Sequence, residues 1–212
     1  GKQFQQALRG AGGGGNVLSA ERIDIQYASK EISRSMSTPT DQSLEALKRL
    51  GRYLGGRPRL VYTYRRQEID TIDVDVDTDW AGCVRTRKST SGGMWMLGDH
   101  CIKTWSATQG AFALSSAEAE FYGMIEAVTR AKGLLTLATD MGFEGLSNVV
   151  HLGTDSSAAK SFVSRRGLGR MRHLEIRDLW LQKEVREGKV EVSKIKGDEN
   201  PADLMTKILS LT

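Results

Sequence analysis

An alternating stretch at residues 73–80, Asp-Val-Asp-Val-Asp-Thr-Asp-Trp, constrains the fold more than any other part of the sequence. Strict alternation predicts a half-buried β-strand, because successive side chains of a strand point to opposite faces. Val74 and Val76 then face a core. The other face carries four aspartates: Asp73, Asp75, Asp77 and Asp79. Carboxylates in a row repel one another unless a cation or water relieves the charge, so the stretch fits either a solvated edge strand, the more common case, or a metal site.

Length and composition are those of a globular protein without a membrane span. The 212 residues allow one large domain or a domain plus part of another, and 39% hydrophobic with 26% charged residues is a soluble profile. The sequence lacks a run of 18 apolar residues, so we expect no transmembrane helix and no membrane partner. Its start has no apolar core of signal-peptide length.

The cysteines and histidines argue against a zinc site. Cys83 and Cys101 are the only cysteines and form no C-x-x-C pair, and the three histidines show no metal-ligand spacing. Two cysteines of this kind are typical of a reducing compartment.

The net charge of +4 is unevenly distributed. Residues 1–70 carry 12 Lys and Arg against 7 Asp and Glu, whereas residues 71–212 carry 18 against 19. A modest basic excess attracts polyanions without identifying a partner.

The first third of the chain has a helical pattern. The glycine run at 10–15 predicts a flexible start over residues 1–18. Apolar spacing and punctuation then predict helices at 19–36 and 37–56, followed by a short strand at 59–66. The polar stretch 66–70 is the candidate domain boundary.

Beyond residue 70 the pattern changes to strands and helices in one mixed order. Strands are predicted at 72–79, 92–98, 101–107, 148–154 and 189–195. Helical segments are predicted at 115–142, from Asp155, within the basic segment 165–187, and at 199–209. Three strands, a helix and then alternating strand and helix indicate an α/β domain with one sheet.

Two glutamates open the long helix and have different expected roles. Ser115 and Glu118 fit a capping box, in which the serine side chain accepts from the backbone N–H of the glutamate and the glutamate side chain accepts from that of the serine. Glu120 lies about 200° around the helix from Glu118, so the two cannot point at the same place. Glu120 is either a first-turn acid stabilised by the helix dipole or a functional group.

Two further acids stand at helix starts. Asp155 follows a strand and fits an N-cap, and Asp203 fits a dipole-favoured acid in the last helix. Each structural reading is the more common one when taken alone. Together, carboxylates at strand ends and helix starts are how open α/β sheets build sites, and oxygen ligands favour magnesium or manganese over zinc.

Six motifs, in order, resemble the ribonuclease H domain of copia-type LTR retrotransposon Pol polyproteins. They are DTDWAG (77–82), RKSTSGG (87–93), ALSSAEAEFYGM (113–124), TDSSAA (154–159), RHLEIRDLWLQKEV (172–185) and ENPADLMTK (199–207). The stretch 21–56 resembles the end of the adjoining reverse transcriptase. The resemblance implies a reverse transcriptase remnant at 19–70 and a ribonuclease H domain at 71–212.

The resemblance also implies a fold, a site and an activity. The fold is α/β and ribonuclease H-like, with a five-stranded mixed sheet flanked by helices. The activity is Mg²⁺-dependent endonucleolytic cleavage of the RNA strand of RNA/DNA hybrids during reverse transcription, with two Mg²⁺ ions for which Mn²⁺ can substitute. The positions that match the family's catalytic, metal-binding acids are Asp77, Glu120, Asp155 and Asp203.

Partners and location follow from the same resemblance. The expected partners are the RNA/DNA hybrid and the polymerase domain of the parent polyprotein, in a cytoplasmic particle or the nucleus. Candidate contacts to the nucleic-acid backbone are Arg85, Arg87, Lys88, Arg165, Arg166, Arg170 and Arg172, although charge runs are often simply solvated. Two alternatives stay open: a catalytically silent retroelement-derived nucleic-acid-binding module, and an unrelated Mg²⁺-dependent phosphatase or nuclease.

Overall fold

The structure, a computed structural model, describes residues 10, 13–143, 145–169, 174 and 179–207. The chain divides into two compact units, one formed by Gly1–Arg65 with Lys207–Thr212 and one formed by Arg66–Thr206. That the first unit is a reverse transcriptase remnant stays a prediction.

The first unit is helical. It contains α1 (residues 13–19), a 3₁₀ turn at Ile23–Ile25, α2 (Gln26–Ser33) and α3 (Asp41–Gly56). The glycine-rich start therefore continues into a helix instead of the flexible segment predicted to residue 18. A small apolar core joins the 3₁₀ turn, α2 and α3 through Ile25, Ile32 and Leu50.

The strand predicted at residues 59–66 is absent, and this prediction was wrong. Residues 57–71 form neither helix nor strand, and the side chains of Val61 and Tyr64 are 80% and 60% exposed. A strand needs a neighbouring strand to satisfy its backbone N–H and C=O groups. Within the described part of the chain, none pairs with this segment.

A five-stranded mixed sheet lies at the centre of the second unit. Its strands are β1 (Ile72–Asp79), β2 (Thr90–Leu97), β3 (His100–Thr108), β4 (Val150–Thr154) and β5 (Val190–Lys194). Their spatial order is β3-β2-β1-β4-β5. The pairs β1–β2 and β2–β3 are antiparallel, whereas β1–β4 and β4–β5 are parallel. All five predicted strands are present, with ends that shift by at most two residues.

Helices flank this sheet, which confirms the predicted α/β class with a five-stranded mixed sheet. They are α4 (Ser116–Asp140), α5 (Ser157–Val163) and α6 (Trp180–Arg186), with a 3₁₀ turn at Pro201–Met205. In the described residues, the predicted terminal helix at 199–209 is only this short turn, capped by Asn200. None of the described helices is long and apolar enough to cross a membrane.

The two faces of β1 are covered by different elements. Ile72, Val74 and Val76 are completely buried in the main core together with residues of α4, as the alternation predicts. The aspartate face is open along most of the strand, but Asp77 is only 2% exposed. The turn Pro201–Met205 packs on β1 and β2 and closes this end of the face.

Gly93 in β2 leaves the space in which two core tryptophans pack. A Cβ at residue 93 would lie 1.9 Å from Cη2 of Trp105 and 2.6 Å from the backbone oxygen of Asp75. The ring of Trp105 lies 4.3 Å from that of Trp95, and both rings are buried. The indole of Trp105 therefore occupies the volume that a side chain at residue 93 would need.

We expect Gly93→Ala to lower the free energy of unfolding by about 1–3 kcal/mol, since an extra methyl in a close-packed core forces its neighbours to move. Gly133→Ala is the matched control. Gly133 is an exposed position of α4 with nothing within 4 Å of the methyl group that alanine would add, so the substitution should raise stability by about 0.5–1 kcal/mol. Urea denaturation of both variants measures the difference, and equal stabilities would contradict this account of the core.

Candidate metal centre

Three carboxylates from three different elements meet at one edge of the sheet. Oxygen atoms of Asp77, Glu120 and Asp155 all lie within 4.8 Å of one another. Asp77 is near the end of β1, Glu120 is in the first turns of α4, and Asp155 directly follows β4. Glu120, like Asp77, is almost fully buried, whereas Asp155 is half-buried.

The parallel pairing of β1 with β4 accounts for two members of this cluster. Val76 pairs with Thr154 in the register of these strands. Asp77 and Asp155 each directly follow one of these paired residues, and parallel strands run in the same direction. Their side chains therefore emerge at the same end of the sheet, as strand ends in α/β folds commonly do.

The start of α4 places Glu120. The Ser115 hydroxyl accepts a hydrogen bond from the backbone N–H of Glu118 at 3.2 Å, so Ser115 is the N-cap. The Glu118 carboxylate accepts from the backbone N–H of Leu114 at 2.9 Å, one residue before the cap. The predicted capping box is therefore only half formed: Ser115 caps the helix, but Glu118 bonds the residue before the cap and not Ser115 itself. Glu120 faces the carboxylate cluster.

Asp155 does not cap α5. The N-cap is Ser156, whose hydroxyl accepts from the backbone N–H of Ala159 at 3.2 Å, so the N-cap interpretation of Asp155 is wrong. The backbone carbonyl of Asp155 accepts a hydrogen bond from Lys194 of β5. The carboxylate of Asp155 is thus left for the cluster, where Gly197 lies against it.

Asp203 is not among the three clustered carboxylates. It lies half-buried in the turn Pro201–Met205. Its backbone oxygen is 3.4 Å from the hydroxyl of Thr206, and the same hydroxyl donates to the carboxylate of Asp77. Asp203 thus lies one hydrogen-bonded residue away from the cluster, and its role as a fourth ligand stays a prediction.

Two site residues were missed by reasoning from the sequence. Thr206 is completely buried and bonds Asp77 directly. The side chain of Asn200 donates to the backbone oxygen of Val76 at 3.1 Å and accepts from the N–H of Ala202 at 3.0 Å, which ties the turn to β1. Both residues lie in the ENPADLMTK motif, which was the signal that could have identified them. They were missed because the search for metal ligands considered acidic residues.

Crowding of three acids in a largely buried place is unfavourable unless a cation compensates the charge. The donor atoms are all carboxylate oxygens, which suits the hard cations Mg²⁺ and Mn²⁺ and does not suit metals that prefer sulfur or imidazole. The residues present therefore fit a divalent cation of this kind.

The remaining aspartates of the alternating row lie outside the cluster. The Asp73 carboxylate lies 3.2 Å from Nδ1 of His151 across the parallel pair. Asp75 does not fit the interpretation as a solvated edge strand, because β1 is the central strand and the Asp75 carboxylate packs against Gly153 and is half-buried. Burial, and secondly the charge of Asp73, raise the pKa of Asp75 above its usual range. The carboxylate of Asp79 folds over Gly82 in the turn after β1.

The predicted basic contacts lie in two segments. Arg85 and Arg87 are exposed and Lys88 is half-buried in the loop between β1 and β2. Arg165 and Arg166 are exposed after α5, where the guanidinium of Arg165 lies 4.6 Å from the ring of Phe162. Arg170 and Arg172 lie outside the described residues.

The chain is similar to segments of long transposon proteins. It is 30% identical over 205 residues to the retrovirus-related Pol polyprotein from transposon RE1 of Arabidopsis thaliana, an alignment that covers 96% of this chain and 14% of that protein. It is 29% identical over 193 residues to the corresponding polyprotein from transposon TNT 1-94 of Nicotiana tabacum, covering 91% of this chain and again 14% of the relative. The chain thus spans about a seventh of these relatives.

Comparison with solved structures finds similarity to ribonuclease H1 proteins. Ribonuclease H1 LC11, isolated from compost, aligns with 65% of this chain and 94% of its own, at 15% identity and a TM-score of 0.45. No protein-family model matches the chain.

We expect Thr206→Val to weaken divalent-cation binding, because Thr206 orients Asp77, and residues that orient metal ligands typically contribute about 10–100-fold to affinity. Thr206→Ser, which keeps the hydroxyl, should bind the cation nearly as well as the unchanged chain. Calorimetric titration with Mn²⁺ gives the affinities, and thermal unfolding without metal checks the fold. Equal Mn²⁺ affinity in the valine and serine variants would contradict an orienting role.

We expect Asp75→Asn to stabilise the protein at neutral pH. A carboxyl whose pKa is raised on folding adds stability at low pH that is lost as the pH rises through its folded-state pKa, since the buried group must then ionise. The advantage of asparagine should therefore be largest near pH 7 and shrink as the pH approaches 4. Denaturation at several pH values measures this stability difference, with Asp198→Asn at an exposed position as the control. An advantage of Asp75→Asn that increases toward acid pH would contradict the prediction.

Proposed function

The chain belongs to the retrovirus-related Pol polyproteins of transposons, of which it spans one segment, and on that premise we propose that it is a metal-dependent ribonuclease H that cleaves the RNA strand of RNA/DNA hybrids. The family and the ribonuclease H-like fold class inferred from the motifs are confirmed. The activity is supported above all by the meeting of Asp77, Glu120 and Asp155 at one edge of the sheet.

The proposed chemistry is phosphodiester hydrolysis. Asp77, Glu120 and Asp155 would hold the Mg²⁺, which would supply Lewis-acid activation of a water and stabilisation of the charge on the leaving 3′ oxygen. The residues of the chain hold the ligands in place: Thr206 orients the Asp77 carboxylate, and Ser115 and Glu118 secure the helix that bears Glu120. We assign Asp203 as the fourth ligand on the match to the family motif and its position beside Thr206.

Recognition of the hybrid is proposed to use charge and shape. An RNA strand differs from DNA by its 2′-hydroxyls and by groove geometry, which a protein reads with polar groups near the scissile bond. The candidate phosphate contacts are Arg85, Arg87 and Lys88 in the β1–β2 loop and Arg165 and Arg166 after α5, all of them exposed except the half-buried Lys88. Such contacts supply affinity and make it salt-dependent.

The proposed setting is reverse transcription of a retroelement. The polymerase part of the parent polyprotein would hold the hybrid as it is made, and the ribonuclease would remove the RNA strand. The location proposed for this process is inside the cell, in a cytoplasmic particle or in the nucleus.

We expect Asp155→Asn to reduce hybrid cleavage by more than about a hundredfold while the protein stays folded, because the amide keeps the shape of the side chain but loses the charge that holds the cation. Asp73→Asn is the matched control, since Asp73 belongs to the same sheet face but lies outside the cluster. The assay uses the full chain with labelled RNA/DNA hybrid, duplex DNA and single-stranded RNA, each with and without Mg²⁺.

Each outcome of this assay has a distinct meaning. Metal-dependent cutting of RNA in the hybrid alone supports the proposal, and near-normal cleavage by Asp155→Asn would remove Asp155 from the site. A folded wild-type chain that binds the hybrid without cutting it would instead support the silent nucleic-acid-binding module. Cleavage of duplex DNA or of small phosphate esters would support a different metal-dependent nuclease or phosphatase.

A further inference from the structure

Two loops beside the carboxylate cluster expose large apolar side chains to solvent. The loop between β1 and β2 carries Trp80 and Val84, which are 47% and 88% exposed. The segment between β3 and α4 carries Phe112 and Leu114, which are 59% and 69% exposed. Contiguous exposed apolar side chains commonly mark an interaction site.

Hydrogen bonds hold the two loops side by side. The indole N–H of Trp80 donates to the backbone oxygen of Ala113 at 3.0 Å. The Lys88 ammonium donates to the backbone oxygen of Gly110 at 2.7 Å and lies 5.2 Å from the centroid of the Phe112 ring. Trp80 and Phe112 are therefore presented on one connected surface, which we call the aromatic ledge.

The bases of both loops are anchored in the sheet. The Ser89 hydroxyl accepts from the N–H of Ala81 at 3.1 Å, and the Ser89 backbone oxygen accepts from the N–H of Gln109 at 2.8 Å. The buried side chain of Gln109 donates to the backbone oxygen of Ala119 in α4 at 2.8 Å. The ledge is thus attached to the helix that carries Glu120.

The backbone of the first loop is held in a disfavoured conformation. Ala81 and Arg87 have φ angles of 54° and 56°, a region that residues with a Cβ rarely adopt. Such conformations persist where the surrounding structure enforces them, and they are concentrated at functional sites. Arg85 and Arg87 are exposed in this loop, as is the ring of Trp80.

The ledge adjoins the carboxylate cluster on both sides. Trp80 follows Asp77 by three residues, so the two Cα atoms are at most about 11 Å apart. Phe112 is two residues before Leu114, whose N–H is bound by Glu118 at the start of the helix that bears Glu120. Trp80 and Phe112 therefore lie on the segments that leave β1 and lead into α4, the elements that carry Asp77 and Glu120.

Charge and chemistry identify the kind of molecule. Exposed rings next to Arg85, Arg87 and Lys88 combine flat apolar faces with cations. Nucleic-acid strands are bound by this combination, since rings pack on bases and sugars while cations meet phosphates. The three cations favour an anionic ligand over an apolar protein segment.

We propose that the aromatic ledge is a contact surface for the nucleic-acid substrate, in which Trp80 and Phe112 pack on sugar or base faces beside the strand that enters the carboxylate cluster. The inference rests on the proposed function, because it takes the same hybrid as the ligand. It adds an apolar component of binding that does not depend on salt, next to the salt-dependent contacts of the arginines.

The test compares two exposed phenylalanines. Phe112→Ala should weaken binding of an RNA/DNA hybrid by about fivefold or more, as expected when a stacked ring is removed. Phe143→Ala, at a residue that is 61% exposed, should leave binding unchanged. Fluorescence anisotropy of a labelled hybrid, in EDTA to prevent metal-dependent cleavage, measures both affinities with the full chain.

Salt dependence separates the rings from the arginines. Phe112→Ala should lower the affinity at every salt concentration without changing the slope of log affinity against log salt, because phenylalanine carries no charge. Arg87→Ala should flatten that slope by up to about 0.9, the value for one lost phosphate contact. A slope that changes in the Phe112 variant would contradict an apolar contact.

A second measurement uses Trp80 itself. Trp80 is 47% exposed, Trp180 is half-buried, and Trp95 and Trp105 are buried, so hybrid binding should quench tryptophan fluorescence most strongly at Trp80. Trp80→Phe should therefore reduce the quenching more than Trp180→Phe does. Unchanged affinity in Phe112→Ala together with unchanged quenching in Trp80→Phe would overturn the inference. If the wild-type chain nevertheless cuts hybrids, the proposed ribonuclease activity is supported without the aromatic contact. If both variants instead behave as expected but the wild-type chain does not cut hybrids, the aromatic ledge is supported and the ribonuclease activity is contradicted.

Discussion

The parallel pairing of β1 with β4 is the constraint on which the rest of the site depends. It aligns Val76 with Thr154 and so delivers Asp77 and Asp155 to the same end of the sheet. Neither residue could reach the other through local structure, because they are far apart in the chain. The hydrogen bonds between β1 and β4 set the relative position of the two aspartates. The apolar side chains of β1 pack the strand against α4. The position of the carboxylates is therefore set by the most buried part of the second unit.

Around this pair, the site combines rigid support with unfavourable charge. The start of α4 contributes Glu120, and the turn Pro201–Met205 closes the opposite side through Asn200 and Thr206. Gathering carboxylates in a poorly solvated place costs stability, which the surrounding hydrogen bonds and core packing offset. Such a cost is expected where a bound cation compensates the negative charge. Thr206 and Asn200, which support the cluster, are as well buried as core residues.

The loop between β1 and β2 and the segment between β3 and α4 combine exposed side chains with firmly bonded bases. Trp80, Phe112, Arg85 and Arg87 are exposed in these loops, yet the bases of the loops are bonded to the sheet and to α4. A surface of this kind is ordered before any ligand arrives, so less conformational freedom is lost on binding. The aromatic ledge and the carboxylate cluster share anchors, since the loops of the ledge are bonded to the sheet and to α4, which carries Glu120.

The sequence by itself determined the strands of the sheet, the capping of α4 by Ser115 and, through six motifs, the family. These signals are local: alternation, helix caps and short motifs depend on residues close together in the chain. Only the tertiary structure decided that Ser156 and not Asp155 caps α5, that residues 57–71 form no strand, and that Thr206 bonds Asp77 across 129 residues. It also separated Asp203 from the three clustered acids and brought Trp80 beside Ala113. Each of these depends on which distant groups become neighbours after folding, and no periodicity in the sequence encodes that.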